Sequence, residues 1–409
     1  MIEMQLDVAS IREEFPSLKI KVNKKPVVYL DNACMSLKPT SVIEAMNDYY
    51  YSYPGCHGRT TYYFGRRTTE EYDRARERVA RLINAPQSKE LVFVRNTSEG
   101  LNLVANSLPF SEGDRVVTTN IEHNSNLLPW QVLKRRRGVE HVIVSLKDDL
   151  TFDRSAFIEA MSGNVRLISV AQTSNLTGVT MPIKEIARIA HEHGALVMVD
   201  GAQSVAHSLV DVQDLGIDIL TFSAHKMMGP TGVGALWAKE EVLNKMEPFL
   251  VGGETVVNTF YDSYVPAGIP DRFEAGLQNY AGAIGAGVAA EYLMGLGPEA
   301  IHEHEVALNR VMTEMIMGID GLTIIGPSEP ELRGGILNIS VDGMKALELA
   351  RILDQSSNIM VRAGYLCVHS WYNARALPHS IRASVYAYNT PDECEMFARV
   401  LTQLIKHYR

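Results

Sequence analysis

Short apolar runs alternate with helical patterns through the middle of the chain. Largely apolar runs, each of the length of a buried strand, occupy residues 91–94, 167–171, 195–199 and 217–222. Segments with helical apolar spacing separate them, and these begin near the capping or first-turn residues Thr97, Asp153 and Pro182. This alternation predicts an α/β fold with a mostly parallel sheet that helices cover on both faces.

The pattern changes around residues 276–287. A Gly/Ala-rich helix, a long helix after Pro298, shorter strands and a final helix over residues 392–407 follow there, which is typical of an α+β unit. We therefore predict a large domain over residues 20–285 and a smaller α+β domain formed by residues 1–19 together with residues 286–409.

Composition narrows the class of protein. With 409 residues, 46% of them hydrophobic and 21% charged, the chain is long enough for two packed domains. Its net charge of −9 argues against nucleic-acid binding, and no apolar stretch reaches the roughly 18 residues of a membrane span. The four cysteines form no CxxC pair, which suits a reducing compartment: Cys34, Cys56, Cys367 and Cys394. We expect a soluble cytoplasmic protein without a structural metal site.

Two neighbouring apolar runs end in an acid and an amine. The first leads into Asp200, and the second leads into Ser223, His225 and Lys226. Because the carboxyl ends of parallel strands meet at the edge where α/β enzymes place their sites, these side chains are expected to lie close together. A lysine that can form a Schiff base and an acid that can hold a pyridinium nitrogen are what pyridoxal 5′-phosphate requires. Either motif alone is equally consistent with a surface ion pair.

Adjacent loops offer the remaining groups of such a cofactor site. A strand-to-helix turn carries small polar residues that suit either a phosphate or a helix cap: Asn96, Thr97 and Ser98. His123 follows another strand and could stack on a pyridine ring, whereas a hydrogen-bonded loop histidine is the alternative. Asn175 and Gln203 could each bond the ring hydroxyl.

Seven segments, in one colinear order, resemble class V aminotransferase-fold enzymes. They read YLDNA at 29–33, RNTSE at 95–99, EHNSN at 122–126, DGAQ at 200–203, FSAHK at 222–226, GPTG at 229–232 and RFEAG at 272–276. Within that superfamily the chain is most similar to group II cysteine desulfurases of the sulfur-mobilisation (SufS) type. The resemblance implies the type I fold of pyridoxal-phosphate enzymes, with a seven-stranded sheet in the large domain, and a homodimer. It also implies conversion of L-cysteine to L-alanine, with the sulfur passed through an enzyme persulfide to an acceptor protein or an iron–sulfur scaffold.

The resemblance also assigns roles to individual residues. It makes Lys226 the Schiff-base lysine and general base, Asp200 the partner of the ring nitrogen, Gln203 the partner of the phenolic oxygen and His123 the stacking group. The implied phosphate ligands are Thr97, Ser98, Ser223 and His225. The implied substrate contacts are Arg382, Asn175 and Arg362, and Cys367 would accept the sulfur. Arg59, Glu99 and Arg362 match positions near the site and the dimer contact.

Three departures from the family pattern affect this prediction. Leu277 stands where the family usually has a threonine that reaches the neighbouring subunit's phosphate, and Tyr365-Leu366 precede Cys367 where the family usually has histidines. The segment after Cys367 is bulkier than usual. Cys367 could therefore be a buried, inert thiol. We expect the other three cysteines to be structural, and Cys34 is the candidate exception because it follows the matched segment at 29–33.

Other activities remain open at this point. The same scaffold supports a selenocysteine or cysteine C–S lyase, an epimerase or an aminotransferase, none of which needs Cys367. A scaffold subunit for sulfur assembly is a further alternative, from a different class of function.

Overall fold

The structure is a computed structural model that describes residues 6–58 and 60–408. Its strands are β1 Lys21–Val22, β2 Lys25–Pro26, β3 Val28–Tyr29, β4 Leu91–Val94, β5 Arg115–Thr119, β6 Glu140–Val144, β7 Val165–Ala171, β8 Leu196–Asp200, β9 Ile219–Ser223, β10 Gly234–Ala238, β11 Val256–Thr259, β12 Tyr264–Pro266, β13 Leu322–Ile324, β14 Ile336–Val341, β15 Ile359–Met360, β16 Arg362–Gly364 and β17 Ser380–Ser384. Its α-helices are α1 Val8–Glu13, α2 Thr40–Ser52, α3 Tyr63–Leu82, α4 Thr97–Ser107, α5 Leu128–Arg137, α6 Arg154–Ala160, α7 Ile183–Glu192, α8 Ser204–His207, α9 Val212–Leu215, α10 Glu240–Leu243, α11 Tyr280–Leu296, α12 Pro298–Ile316, α13 Ala346–Ser357, α14 His369–Ala374 and α15 Pro391–Tyr408.

A seven-stranded sheet forms the centre of the molecule. Its strand order is β4-β10-β9-β8-β7-β5-β6, and only β10 runs antiparallel to its neighbours. The central strands are apolar at nearly every position because both faces are covered. On β8, for example, Val197 and Val199 belong to the hydrophobic cluster of one face, and Met198 belongs to the cluster of the other. The predicted α/β class and its mostly parallel sheet are confirmed.

A smaller antiparallel sheet has the order β13-β14-β17-β16 and packs on its own cluster with α12, α13 and α15. In this sheet Arg362 is the register partner of Arg382. The parallel pair β3–β15 and a bridge between Asp31 and Ser384 bring residue 31 beside it. Arg12 of α1 forms an ion pair with Glu393 of α15 at 2.9 Å, so the first helix contacts the last. The boundaries of the two domains remain a prediction.

Two further features of the described residues bear on function. Within residues 6–58 and 60–408, no helix combines the length and the apolar character that a membrane span requires. In the same part of the chain, no group of three or more His, Cys, Asp or Glu side chains is arranged to hold a metal ion.

Candidate active site

One cavity of about 490 Å³ lies at the carboxyl ends of the central strands. Parallel β7, β8 and β9 deliver their last residues to this edge, and the small sheet contributes its two arginines from the other side. The residues predicted to bind the cofactor or the substrate or to act in catalysis all line the cavity: Asn96, Thr97, Ser98, His123, Asn175, Asp200, Gln203, Ser223, His225, Lys226, Arg362, Cys367 and Arg382. Glu99, which the resemblance placed near the site and the dimer contact, lines a different cavity. Arg59 lies outside the described residues.

Hydroxyl groups gather at one end of this cavity, around the first turn of α4. Asn96 caps the helix, because its Oδ1 accepts from Glu99 N at 3.0 Å. Ser223 Oγ accepts from Thr97 N at 2.9 Å and lies 2.7 Å from Thr97 Oγ1. Ser98 Oγ lies 2.5 Å from Ser125 Oγ. Hydroxyls and amide groups at the positive end of a helix dipole suit a phosphate group.

An acid and an amide lie at the floor of the cavity. Asp200 is buried and accepts from Ala202 N at 2.9 Å; burial raises its pKa, and the Lys226 charge opposes this. Gln203 is 3% exposed and donates to Ala33 O at 2.8 Å, but its Oε1 has no partner among the described residues. Buried polar atoms are normally hydrogen-bonded, so the free oxygen indicates a place for a ligand donor.

The Lys226 amine stands on a 3₁₀ turn, Ala224–Lys226, directly after β9. Buried Ser36 holds this turn: its backbone N–H donates to His225 O at 3.1 Å, and its Oγ accepts from Met228 N at 2.8 Å. Burial lowers the pKa of Lys226, and the Asp200 charge opposes that effect. A lowered pKa increases the fraction of neutral amine, which is the form that attacks a carbonyl group.

The imidazoles of His123 and His225 are both neutral near pH 7. Burial, with the charges of Lys226 and Arg382, lowers the pKa of His123 to about 3. His123 Nδ1 accepts from Ser125 N at 3.1 Å, so the neutral ring carries its proton on Nε2. Burial, with a contribution from Lys226, lowers the pKa of His225 to about 4. A neutral ring can stack on a heteroaromatic cofactor without adding charge to the site.

Two arginines share a single carboxylate at the opposite end. Arg362 Nη2 contacts Asp31 Oδ2 at 2.7 Å, and Arg382 Nη2 contacts Asp31 Oδ1 at 3.5 Å. Arg382 is 3% exposed, donates to Asn175 O at 2.8 Å and leaves its Nε without a partner among the described residues. Two positive charges opposite one negative charge leave a net positive region, which suits the carboxylate of a substrate.

The loop that carries Cys367 is held from both sides. Asn175 Nδ2 donates to Leu366 O at 2.7 Å, and Asn124 N donates to Cys367 O at 2.7 Å. Leu366 and Cys367 both have left-handed φ angles, 50° and 59°. Leu366 packs inward at 8% exposure, whereas Cys367 is exposed. The alternative of a buried thiol at residue 367 is therefore wrong for this chain.

The motif patterns missed several residues that build the site. Asp31 and Ser125 were seen only as motif members, and Ser36 was not singled out. His369 also had no predicted role. It lines the cavity, and its Nδ1 lies 3.0 Å from Asn124 Nδ2. No local signal distinguishes these residues, because their partners are distant in the chain. The predicted neighbour Cys34 does line the cavity.

Residues 28–397 match the model of the aminotransferase class-V family. The chain belongs to this family. The predicted family is thereby confirmed.

Individual relatives and solved structures resemble the chain over 98–100% of its length. A probable cysteine desulfurase of Synechocystis sp. is 37% identical and is matched over 100% of this chain and 98% of its own. The apo structure of a cysteine desulfurase from Thermococcus onnurineus NA1 superposes with a TM-score of 0.94 at 36% identity, with both chains fully covered. The cysteine desulfurase CsdA of Escherichia coli superposes with a TM-score of 0.90 at 30% identity, over 98% of this chain and 99% of that one.

The groups in the cavity of this class-V aminotransferase-family protein fit pyridoxal 5′-phosphate. The hydroxyl cluster around Thr97 and Ser223 suits its phosphate, and buried Asp200 suits its ring nitrogen. The free Gln203 Oε1 suits its ring hydroxyl, and the Lys226 amine suits its aldehyde carbon.

Proposed function

We propose that the protein is a pyridoxal-phosphate-dependent cysteine desulfurase, which converts L-cysteine to L-alanine and retains the sulfur as a persulfide on Cys367. The observation that carries this proposal is an exposed thiol that lines the same cavity as the Lys226 amine and the Arg382 guanidinium. The full-length relatives named cysteine desulfurase support the same activity.

The cofactor-binding roles follow from the contacts described above. The phosphate would be held by Thr97, Ser98, Ser223 and His225 at the start of α4 and after β9. Asp200 would keep the ring nitrogen protonated, Gln203 would bond the ring hydroxyl, and neutral His123 would stack on the ring. When bound, the cofactor supplies an electron sink for negative charge at the substrate's α-carbon.

The chain's own residues carry the substrate and the protons. Arg382 and Arg362 would bind the carboxylate of L-cysteine, and Asn175 would hold Arg382 in place through its carbonyl oxygen. The neutral amine of Lys226 would take the α-proton and later return a proton to carbon. The Cys367 thiolate would attack the substrate's sulfur, so that one S–S bond forms as the C–S bond breaks.

A homodimer is part of this proposal. Apolar side chains are exposed over the start of α3, the β11–β12 hairpin and nearby loops: Tyr62, Tyr63, Phe249, Leu250, Val257, Phe260, Tyr261 and Leu277. Two adjoining cavities in this region share Tyr72, Glu274 and Gln278. Exposed apolar surface of this kind marks interaction sites in soluble proteins, and a second copy of the chain would cover it.

We further propose that the protein acts in the cytoplasm and passes the persulfide sulfur to an acceptor protein or an iron–sulfur scaffold. The exposure of Cys367 supports this step, since an acceptor must reach the sulfur from outside. The scattered free cysteines suit a reducing compartment.

The decisive experiment compares the wild-type protein with Cys367→Ser on L-cysteine, with alanine and protein-bound sulfane sulfur measured together. Wild-type protein should form both, and Cys367→Ser should lose both by orders of magnitude because a hydroxyl cannot accept sulfane sulfur. Cys56→Ser is the matched control, since Cys56 is also a partly exposed free thiol but does not line the cavity. Desulfuration by Cys367→Ser at the wild-type rate would instead indicate a lyase.

The cofactor assignment has its own test. Borohydride reduction of the loaded protein should fix the cofactor to the peptide that contains Lys226, and Lys226→Ala should abolish both that label and turnover. Labelling of a different lysine would contradict the assignment.

A further inference from the structure

A second thiol lies in the cavity. Cys34 is partly exposed and lines the same space as Cys367 and Lys226. It follows β3 in a turn in which Cys34 N donates to Asp31 O at 3.1 Å. Both sulfurs lie close enough to the Lys226 amine to interact with it electrostatically. None of the roles assigned above uses Cys34.

The surroundings of Cys34 are those of a reactive sulfur. Arg362 Nη2 donates to Cys34 Sγ at 2.8 Å, a direct contact between a guanidinium and a thiol. The sulfur also interacts electrostatically with Arg382, whose buried Nε has no partner among the described residues and therefore leaves a donor for an anionic ligand. Cationic, partly exposed surroundings are where reactive cysteines occur, whereas structural thiols are buried in apolar surroundings. Buried Cys394, in the core of the small domain, is the contrasting case in this chain.

The loop that carries Cys367 begins shortly after Arg362 in the chain. Arg362 is the first residue of β16, and the chain runs from there directly into the loop that carries Cys367. Arg362 is therefore near both cysteines: its side chain donates a hydrogen bond to Cys34 Sγ, and Cys367 follows it by five residues in the chain. The cavity of about 490 Å³ between these elements offers room for a sulfur atom beyond Cys367 Sγ.

We propose that Cys34 is a second sulfur-carrying thiol, which takes the terminal sulfur from the Cys367 persulfide and holds it beside Arg362 and Arg382. This inference rests on the proposed desulfurase function. In the transfer, Cys34 Sγ attacks the terminal sulfur of the Cys367 persulfide, the S–S bond at Cys367 Sγ breaks, and a new S–S bond forms at Cys34 Sγ. The proton of the Cys34 thiol passes to Cys367, so no external oxidant or reductant is needed.

The transfer has a functional consequence. Cys367 regains its thiol and can accept a second sulfur before any acceptor arrives. Each subunit would then hold up to two sulfane sulfurs, one on each thiol. The sulfur on Cys34 would stay inside the cavity, where the guanidinium of Arg362 donates to it.

The test measures how much alanine is released in the first burst, without reductant or acceptor, and which peptides carry persulfide. Wild-type protein should release about two alanines per subunit and carry persulfide on both Cys34 and Cys367, because each thiol stores one sulfur. Cys34→Ser, which keeps an acceptor for Arg362, should release about one and carry persulfide on Cys367 alone. Cys56→Ser should match the wild type. Cys367→Ser should carry no persulfide on Cys34, because Cys34 receives its sulfur only from Cys367.

The possible failures are distinguishable. Alanine release of about one equivalent in wild-type protein, with persulfide on Cys367 alone, would overturn the relay and leave the desulfurase function intact. Persulfide on Cys34 in Cys367→Ser would also overturn the relay, because the sulfur would then come directly from the substrate. Absence of both alanine and persulfide from wild-type protein would contradict the proposed function itself. Unchanged cofactor absorbance in Cys34→Ser would show that the variant is folded and loaded.

Discussion

Removal of the Arg382 guanidinium should weaken the binding of any substrate that carries a carboxylate. The side chain is 3% exposed, and its Nε has no partner among the described residues, so donors remain for a ligand. Arg382→Ala does not leave the Asp31 carboxylate without a positively charged partner, because Arg362 still contacts it at 2.7 Å. The main loss should therefore fall on substrate binding rather than on folding.

The magnitude follows from the hydrogen bonds lost. Two charge-assisted hydrogen bonds to a carboxylate contribute about 2–4 kcal/mol after desolvation is included. With about 1.36 kcal/mol for each factor of ten, KM for L-cysteine should rise between about 30-fold and about 900-fold in Arg382→Ala. Arg382→Lys keeps the charge but loses the planar fork, so its KM should lie between those of the wild type and the alanine variant.

The assay uses a pair of substrates that differ in one group. L-cysteine carries the carboxylate, and cysteamine is the same molecule without it. The affinity for L-cysteine should fall in Arg382→Ala, while the affinity for cysteamine should stay unchanged. Arg310→Ala is the charge control, since exposed Arg310 pairs with Glu331 away from the cavity.

Two results would refute this reasoning. An unchanged KM for L-cysteine would show that Arg382 serves only the structure, through Asn175 and Asp31. An equal loss of affinity for L-cysteine and cysteamine would show that the variant damages the cavity as a whole.

Three further predictions concern the cofactor site and stability. Asp200→Asn should retain the cofactor but slow turnover by orders of magnitude, because a neutral amide cannot keep the ring nitrogen protonated; near-normal kcat would exclude that role. Arg76→Ala should lower the free energy of unfolding, measured by urea denaturation, by about 3–5 kcal/mol. The reason is that buried Glu274 loses the guanidinium that contacts its two carboxylate oxygens at 2.7 and 2.9 Å. The control is Arg74→Ala on the same helix, which removes an exposed arginine and should cost under about 1 kcal/mol. His123 should keep the NMR shift of a neutral imidazole down to about pH 4.5, because burial lowers its pKa to about 3. Its unfolded form binds a proton near pH 6.5, so its contribution to folding stability should be lost as the pH falls from 6.5 towards 3, and His123→Asn should remove that part of the pH dependence.

Glu274 illustrates where a motif match stops being informative. The RFEAG segment indicated the family, but the match did not show what its glutamate does. In the structure Glu274 accepts from Phe93 N at 2.7 Å and from Tyr72 hydroxyl at 2.8 Å, besides its pair with Arg76. It anchors the segment before exposed Leu277 to the end of the large sheet. The motif match points to Glu274 as a residue typical of the family, whereas its hydrogen-bond partners in the structure show what its side chain does.

Local sequence was enough to predict the strands near residues 91–94, 167–171, 195–199 and 217–222 and the helix starts near Thr97, Asp153 and Pro182. It also predicted the edge of the sheet at which Asp200 and Lys226 meet. These features depend on local properties of the chain, namely the spacing of apolar residues, the capping residues and the chain direction. Parallel strands bring their carboxyl ends to the same edge of a sheet, independently of how the rest of the chain packs. The helix cap at Asn96 is of the same kind, since donor and acceptor lie within one turn.

The packing of separate elements determines which distant side chains share the cavity. Asp31 meets Arg362 and Arg382 because β3 pairs with β15 and Asp31 itself forms a bridge with Ser384 of β17. These contacts span more than three hundred residues. The exposure of Cys367 depends on Leu366, whose left-handed backbone and inward packing leave the thiol outside. Such outcomes depend on how separate elements pack, and no local pattern of residues encodes the choice between a buried and an exposed thiol.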